Sequence, residues 1–475
     1  MALEIPKAKL KSFVRHVVPG ALLVTEYLFL VPLDYSNPSG RHIQLFARGA
    51  TKYEVPINPQ QSQFQSSLNR PWFVFLQGGP GFGNPEPQDS SLTRFLLNRG
   101  YQILFLDYRG VGLSTPVTAD TAPTPDASSE EQFEYLKFFR QVDNVRDCEA
   151  VRKCLTDSFD ESKRKWSIFG QSFGGFVCLS YLSQHPEGLN EVFMTGGLAP
   201  ISKTPDQVYR ATFQKVFERN MAYYRKFPED ATAVRRVAGF LHSRPDKGVR
   251  LPGGGLLTAR RLLTLGHMFG LHGGLDNVHS MILRLNLDLE QFGFLTRPTL
   301  LQFESYLPFD TAPIYAVLHE AIYCYKTGIR SDWAAQRVGQ QLENFRWLDP
   351  DFSAFDNAAE PAAPPLCFSG EMIFPFMFDD YPELTRLRPA AAALAGHDGW
   401  DDLYDEARLR LNQVPVYAAS FIEDMYVESE LARDTARRIN LIRVLETNTM
   451  YHNAIRARPD EVLPQLFKLR DDAID

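Results

Sequence analysis

The sequence has few of the features that mark metal-binding, disulfide-rich or membrane-spanning proteins. Only 5 of its 475 residues are cysteine, and their spacing at positions 148, 154, 178, 324 and 367 matches no zinc motif. No apolar run is long enough to cross a bilayer, and the apolar stretch 21–31 is interrupted by Thr25 and Glu26. We therefore expect a cytoplasmic protein with reduced thiols, no metal or other cofactor, and no membrane partner.

Positive charge is not in excess either. The chain has 50 Lys and Arg residues against 57 Asp and Glu residues, which gives a formal net charge of -7. Without a basic field to attract phosphate groups, we expect no nucleic acid partner. Hydrophobic residues make up 44% of the chain, enough for a large core in one domain with an insertion or in two domains. The composition leaves the oligomeric state open.

The first part of the chain alternates between strand and helix patterns. Residues 22–31 and 42–47 predict short strands, and the turn-forming residues 37–40 between them indicate an antiparallel hairpin. The unbroken apolar runs 72–76 and 103–106 favour parallel strands that are buried on both faces. Helical patterns follow at residues 90–99 and 130–155, so the fold class is α/β.

The middle of the chain has a different pattern. From about residue 201 the apolar residues recur at helical spacing, for example around 256–271, and strand character returns only at 414–419 and 439–445. A Pro-, Ala- and Asp-rich stretch at 349–365 predicts a loop. We therefore predict a core split between residues 1–200 and 401–475, with a helical cap inserted over 201–400.

A serine lies inside a Gly-x-Ser-x-Gly motif at residues 170–174. The motif follows the apolar run 166–169 and precedes an apolar helical pattern at 176–182, which is the context of a nucleophile elbow. The chain must reverse from strand to helix within a few residues, so Gly170 and Gly174 leave room that a β-carbon would fill. A glycine-rich surface turn would explain the glycines alone; the flanking patterns favour Ser172 as a catalytic nucleophile.

Such a serine needs a base, and the base needs an orienting carboxylate. In folds with this elbow, the acid and then the histidine follow the serine along the chain. Asp424 follows the strand predicted to end near residue 419, and Glu423 is its local competitor. His452 follows the last predicted strand and is the only histidine after Asp424. Each of these residues has an alternative interpretation as an ordinary surface side chain.

A glycine-rich loop at residues 77–83 follows the first buried strand, where this fold places a backbone donor for an oxyanion. We expect the N–H groups of Gly79 and Phe173 to form the oxyanion hole. The loop lacks the lysine and the spacing of a phosphate-binding P-loop. Asp107 and Arg109, after the second buried strand, are expected to brace neighbouring loops.

Taken together, several motifs resemble the proline iminopeptidase family of α/β-hydrolases. They lie at residues 77–81, 107–114, 170–175, 195–200, 423–427 and 451–453, so the resemblance runs from about residue 70 to 455. It implies an α/β-hydrolase fold with a mostly parallel sheet and a helical cap, and a serine aminopeptidase that releases an N-terminal residue, preferentially proline, from short peptides with a free N-terminus. Gln77 stands where the family usually has histidine, and Phe173 where it often has tryptophan.

The resemblance also implies cap glutamates that hold the charged amine of the substrate. Glu320 is one candidate, on a predicted amphipathic helix that starts at Thr311 with Pro313 in its first turn. Glu371, a lone charge in apolar surroundings, is the other. Each has an alternative interpretation as a salt-bridged or surface acid. The nearby aromatics line the pocket or belong to the core: Phe374, Phe376 and Phe378.

Two other functions fit the same residues. An esterase or lactonase acting on small esters or amides would share the fold and the triad but would need no carboxylate at the amine position. A non-catalytic binding protein would keep the fold without a reactive serine. Epoxide and haloalkane hydrolases have an aspartate at the elbow, so Ser172 argues against them.

Overall fold

The structure is a computed structural model that describes residues 4–53, 70–349, 355 and 364–472. Within these residues, nine strands form one sheet and two short strands pair separately. The strands are β1 (Lys9–Val18), β2 (Leu22–Pro32), β3 (His42–Lys52), β4 (Trp72–Leu76), β5 (Gln102–Leu106), β6 (Trp166–Gln171), β7 (Leu189–Thr195), β8 (Gly248–Arg250), β9 (Leu256–Thr258), β10 (Val416–Phe421) and β11 (Ile442–Thr447). The large sheet has the order β1-β2-β3-β5-β4-β6-β7-β10-β11.

The N-terminal strands confirm the predicted antiparallel hairpin. β2 pairs with β3 along its whole length, from Leu22 opposite Lys52 to Pro32 opposite His42. No strand was predicted at β1, which pairs with β2 at the edge of the sheet. Nine of its ten residues are exposed, so it lacks the inside–outside alternation by which a strand is detected.

The central strands are parallel and buried on both faces. Every residue of β4, β5 and β6 is buried, and β5, β4, β6, β7, β10 and β11 pair in parallel. This confirms the prediction from the unbroken apolar runs. Because the carboxyl ends of parallel strands share one edge, the loops that follow β4, β6, β10 and β11 lie near one another.

Successive residues of these strands belong to two different apolar clusters. Phe73 and Phe75 of β4 pack in the smaller cluster, and Val74 and Leu76 pack in the larger one. Side chains alternate between the faces of a strand, so each face of the sheet has its own core. The larger cluster continues into the helical middle of the chain, for example to Val216.

Helices precede and follow the central strands and dominate the middle of the chain. They are α1 (Ser91–Leu97), α2 (Ser129–Leu136), α3 (Gln141–Leu155), α4 (Phe173–Gln184), α5 (Pro205–Lys226), α6 (Asp230–His242), α7 (Ala259–Leu263), α8 (Gly274–Phe292), α9 (Arg297–Glu304), α10 (Pro313–Leu318), α11 (Ala334–Gly339), α12 (Met377–Asp380), α13 (Pro382–Thr385), α14 (Arg388–Gly396), α15 (Glu406–Arg410), α16 (Ser429–Ala436), α17 (Ala454–Ala457) and α18 (Pro459–Asp471). The division into core and cap at residues 200 and 400 stays a prediction.

Some predicted helices differ from the structure. The pattern at 130–155 corresponds to two helices, α2 and α3, because Arg140 between them is extended. The helix expected to start at Thr311 begins at Pro313, and all six of its residues are buried, so the prediction of an amphipathic helix was wrong. The helical pattern at 256–271 begins with strand β9. The predicted loop at 349–365 lies largely outside the described residues.

All five cysteines are unpaired, as predicted from their number and spacing. Four of them are buried. Among the described residues, none of the helices combines the length and the apolar character needed to cross a membrane.

Arg109 and Asp147 form a buried ion pair beneath the loops that follow the sheet. Arg109 Nη2 lies 2.7 Å from Asp147 Oδ1, and Nε lies 2.8 Å from Oδ2. Arg109 Nη1 also donates to the carbonyls of Leu33 at 2.7 Å and Phe138 at 2.8 Å. Tyr35 donates its hydroxyl proton to Asp147 at 2.8 Å. Arg109 therefore ties together three separate segments, the bracing role predicted for it.

Replacing Asp147 with asparagine should destabilise the protein strongly, because the Arg109 charge then stays buried without a counterion. We expect a loss of about 3 kcal/mol or more in the free energy of unfolding. Urea denaturation measures this loss in the free energy of unfolding. Asp157→Asn is the control, because Asp157 pairs with Lys7 on the exposed surface. Equal midpoints for the two variants would contradict the bracing role.

Candidate active site

Ser172 occupies a sharp turn between β6 and α4. Its backbone has φ 55° and ψ -123°, a region that non-glycine residues rarely adopt. A β-carbon on Gly170 would lie 2.3 Å from the Gly174 carbonyl oxygen, and one on Gly174 would lie 1.9 Å from the Leu76 oxygen. Both glycines are therefore required by close packing, and this packing holds Ser172 in its strained conformation.

His452 and Asp424 form a buried hydrogen-bonded pair. His452 Nδ1 lies 2.6 Å from Asp424 Oδ2. The other carboxylate oxygen, Oδ1, accepts the backbone N–H groups of Tyr426 at 2.8 Å and Val427 at 3.1 Å. Asp424, not the neighbouring Glu423, is thus the acid that contacts His452. The two loops that follow β10 and β11 supply the pair, as the order along the chain suggested.

A glycine leaves space for this pair. Gly196 follows β7 with φ 52°, and a β-carbon there would lie 3.0 Å from His452 Nδ1 and 3.3 Å from Asp424 Oδ2. A larger residue would push the imidazole or the carboxylate out of its place. Gly196 belongs to the 195–200 motif, whose position in the site the sequence did not reveal.

The environment changes the pKa of His452 in two opposing ways. Burial lowers the pKa, but the charge of Asp424 and the hydrogen bond to it outweigh burial and raise the pKa above 6.5. Because Asp424 stabilises the imidazolium, His452 is suited to take up a proton from a neighbouring group and to release it again.

Ser172 and His452 line the same cavity, which has a volume of about 280 Å³. Gly78 and Gly79 also line it, so the glycine-rich loop after β4 reaches the serine. Gly79 has φ 136°, a conformation that favours glycine, and a β-carbon there would meet the nitrogen of Gly81 at 2.6 Å. The structure thus brings Ser172, His452 and the predicted oxyanion loop together at one cavity.

The second predicted oxyanion donor, Phe173, is the first residue of α4. Backbone N–H groups in the first turn of a helix have no partner within the helix, so the Phe173 N–H is available beside Ser172. The ring packs edge-on against Tyr108, with 5.9 Å between the centroids. Gln77 donates its side-chain amide to the Gly83 carbonyl at 3.2 Å and closes the glycine-rich loop.

Glu371 places a negative charge in the cavity. Its Oε1 accepts a hydrogen bond from the Tyr315 hydroxyl, and its Oε2 lies 3.8 Å from His319 Nε2. Burial raises the pKa of Glu371, but the neighbouring histidines, above all His319, outweigh burial and lower the pKa to about 2. Glu371 is therefore ionised wherever His452 can act as a base.

Glu320 lies elsewhere. Its carboxylate accepts the backbone N–H groups of Ala334 at 3.1 Å and Ala335 at 2.8 Å, the first two residues of α11. It thus satisfies two N–H groups that have no partner within the helix. Burial raises the pKa of Glu320 to about 7. Glu320 is not among the residues that line the cavity, so this placement gives no support to its predicted role in amine binding.

The aromatic side chains that line the cavity are not the phenylalanines that the sequence offered as pocket residues. Phe374 and Phe376 stack on each other with 5.5 Å between centroids, and Phe378 packs against Trp333, so these rings belong to the core. The aromatic residues that line the cavity were not singled out from the sequence: Phe82, His267, Tyr306, Phe309, Tyr315 and Tyr426. A signal existed for one of them, because Tyr315 precedes His319 by four residues, a helical spacing that puts both side chains on one face.

Comparison with known proteins agrees with this architecture. A family model for the alpha/beta hydrolase fold matches residues 71–286, which confirms the predicted fold class. The proline iminopeptidase aneH of Aspergillus aculeatus is 39% identical over 477 residues, covering 100% of both chains. The proline iminopeptidase of Aeromonas sobria is 37% identical over 462 residues, which covers 96% of this chain and 99% of the relative.

Replacing Asp424 with asparagine should lower the pKa of His452, because the attraction that raises the pKa is removed while burial remains. We expect the imidazole to titrate above 6.5 in the unmodified protein and below 6.5 in Asp424→Asn. Histidine-selective NMR measures both, with His452→Gln identifying the signal among the 10 histidines.

Asp405→Asn is the matched control, because Asp405 caps helix α15 and is not part of the pair. This variant should leave the titration of His452 unchanged. The same titration in Asp424→Asn and in the unmodified protein would show that the pair does not set the pKa.

Proposed function

We propose a catalytic mechanism for this chain from the premise that it belongs to the proline iminopeptidase family of α/β-hydrolases. The chain is a serine hydrolase, an aminopeptidase that releases N-terminal residues, preferentially proline, from peptides. The assignment of each step to a residue is our proposal. The observation that carries it is the cavity shared by Ser172, by the His452 of a buried acid–base pair, and by an ionised glutamate.

Acylation begins when Ser172 attacks the carbonyl carbon of the N-terminal residue. His452 takes the hydroxyl proton and then gives it to the leaving amine. Asp424 fixes the orientation of the imidazole and stabilises its charged form, as the raised pKa of His452 indicates. The peptide bond breaks, the shortened peptide leaves, and an acyl-enzyme ester remains on Ser172.

Deacylation uses the same groups in reverse. Water attacks the ester while His452 accepts its proton, and Ser172 regains its hydrogen as the amino acid leaves. In both steps the negative charge on the carbonyl oxygen is stabilised by the N–H groups of Gly79 and Phe173. The strained turn at Ser172 and the positive φ of Gly79 support these positions, because they fix the two backbone segments before substrate binds.

Glu371 gives the site its preference for a free amine. An N-terminal amine is positively charged, and a buried carboxylate with a low pKa is a suitable partner for it. Tyr315 donates a hydrogen bond to one oxygen of this carboxylate, and His319 lies near the other oxygen. A neutral ester needs no such charge, so Glu371 supports the aminopeptidase over the esterase alternative.

The dimensions of the site and the cysteines support two further parts of the proposal. A cavity of about 280 Å³ is smaller than the usual pocket for a drug-sized molecule, which favours short peptides as substrates. Five unpaired cysteines are typical of a reducing compartment, which favours a cytoplasmic location.

Replacing Glu371 with glutamine should reduce kcat/KM for a proline aryl amide by about 30-fold or more, because the loss of a buried charge partner costs roughly 2 kcal/mol or more. The unmodified enzyme should hydrolyse the proline aryl amide and reject N-acetyl-proline aryl amide, which has no charged amine. Initial rates on the two substrates measure both effects.

Glu320→Gln is the comparison variant, since Glu320 is buried but caps α11. It should lower the melting temperature and leave the ratio of the two rates unchanged. If Glu320→Gln abolished discrimination against the blocked substrate while Glu371→Gln preserved it, the amine-binding role would belong to Glu320 instead.

A further inference from the structure

Arg456 lies on the rim of the catalytic cavity. It belongs to the short helix α17, which begins two residues after His452. Its side chain lines the same cavity as Ser172 and Glu371, yet the residue is exposed to solvent. Arg456 therefore marks the open side of the cavity, where a substrate enters and where the leaving part of a peptide must project.

Within the part of the chain that the structure describes, no carboxylate pairs with the Arg456 guanidinium. Its neighbour Arg458, by contrast, lies 3.4 Å from Glu461. Partial desolvation lowers the pKa of Arg456, and no acidic group offsets this effect. A partly desolvated guanidinium that has no carboxylate partner is suited to bind an anion from solution.

The charges of the cavity match those of a short peptide with free ends. Glu371 supplies a negative charge on the inner side, and Arg456 supplies a positive charge on the rim. A dipeptide carries the opposite charges at its amine and at its carboxylate. With the amine at Glu371 and the first carbonyl at Ser172, the carboxylate of the second residue points toward the open side.

We propose that Arg456 binds the C-terminal carboxylate of dipeptide substrates, so that the enzyme prefers dipeptides with a free C-terminus over the same dipeptides with a blocked one. This inference rests on the proposed function, because it takes Ser172 as the nucleophile and Glu371 as the amine site. The planar guanidinium can donate two parallel hydrogen bonds to a carboxylate, a geometry that a single ammonium group does not offer.

The test compares three substrates: prolyl-glycine, prolyl-glycinamide and a proline aryl amide. In the unmodified enzyme, we expect kcat/KM for the dipeptide to exceed that for its amide by about 10- to 100-fold, the usual worth of a hydrogen bond to a charged group. In Arg456→Gln this ratio should fall to about one, and in Arg456→Lys it should lie between the two.

The ratio of kcat/KM for the dipeptide to that for its amide is measured for each variant at a pH where kcat/KM no longer changes with pH. This is necessary because Arg456 also lowers the pKa of His452, so its removal shifts the pH at which activity falls in acid. Arg458→Gln is the matched control, an arginine two residues away that is paired with Glu461 and does not line the cavity. It should keep the ratio of the unmodified enzyme.

The outcomes separate this inference from the function on which it rests. Equal rates on the dipeptide and its amide in the unmodified enzyme would overturn the role of Arg456, as would an unchanged ratio in Arg456→Gln. In both cases, turnover of the proline aryl amide would leave the aminopeptidase mechanism standing. An unmodified enzyme that cleaves none of the three substrates would instead overturn the proposed function itself.

Discussion

The hydrogen bond between His452 Nδ1 and Asp424 Oδ2 is the interaction on which the rest of the site depends. It joins the loops that follow β10 and β11, and two backbone N–H groups fix the second oxygen of the carboxylate. Since Asp424 occupies Nδ1, the proposed mechanism assigns proton transfer with Ser172 to the opposite ring nitrogen. Gly196 leaves room for His452 and Asp424, and the close packing of Gly170 and Gly174 fixes the turn that carries Ser172.

Much of the fold and of the geometry of the candidate site could be predicted because the signals are local. Unbroken apolar runs identify parallel strands buried on both faces, and β4 and β5 confirm this. The elbow is a short motif in which steric limits alone dictate the glycines. Asp424 and His452 could be singled out because their order along the chain, relative to Ser172, is characteristic of the fold.

What the sequence did not reveal depends on packing between distant segments. Glu320 and Glu371 look alike as lone acids in apolar surroundings, yet one caps α11 and the other faces the cavity. They are distinguished by contacts with other parts of the chain: Tyr315, 56 positions away, approaches Glu371, while the backbone of Ala334 and Ala335 approaches Glu320. The exposed edge strand β1 was missed because it has no apolar face. Helix α10 was predicted, but as an amphipathic helix, whereas all six of its residues are buried.

The most direct test of the central claim is the rate at which a fluorophosphonate probe modifies the protein as a function of pH. If His452, held by Asp424, activates Ser172, mass spectrometry should find the label on Ser172. The labelling rate should then rise between about pH 5 and 8, with a midpoint above 6.5, as the imidazole loses its proton. A label on another residue, or a rate at Ser172 that does not change over this range, would contradict the account.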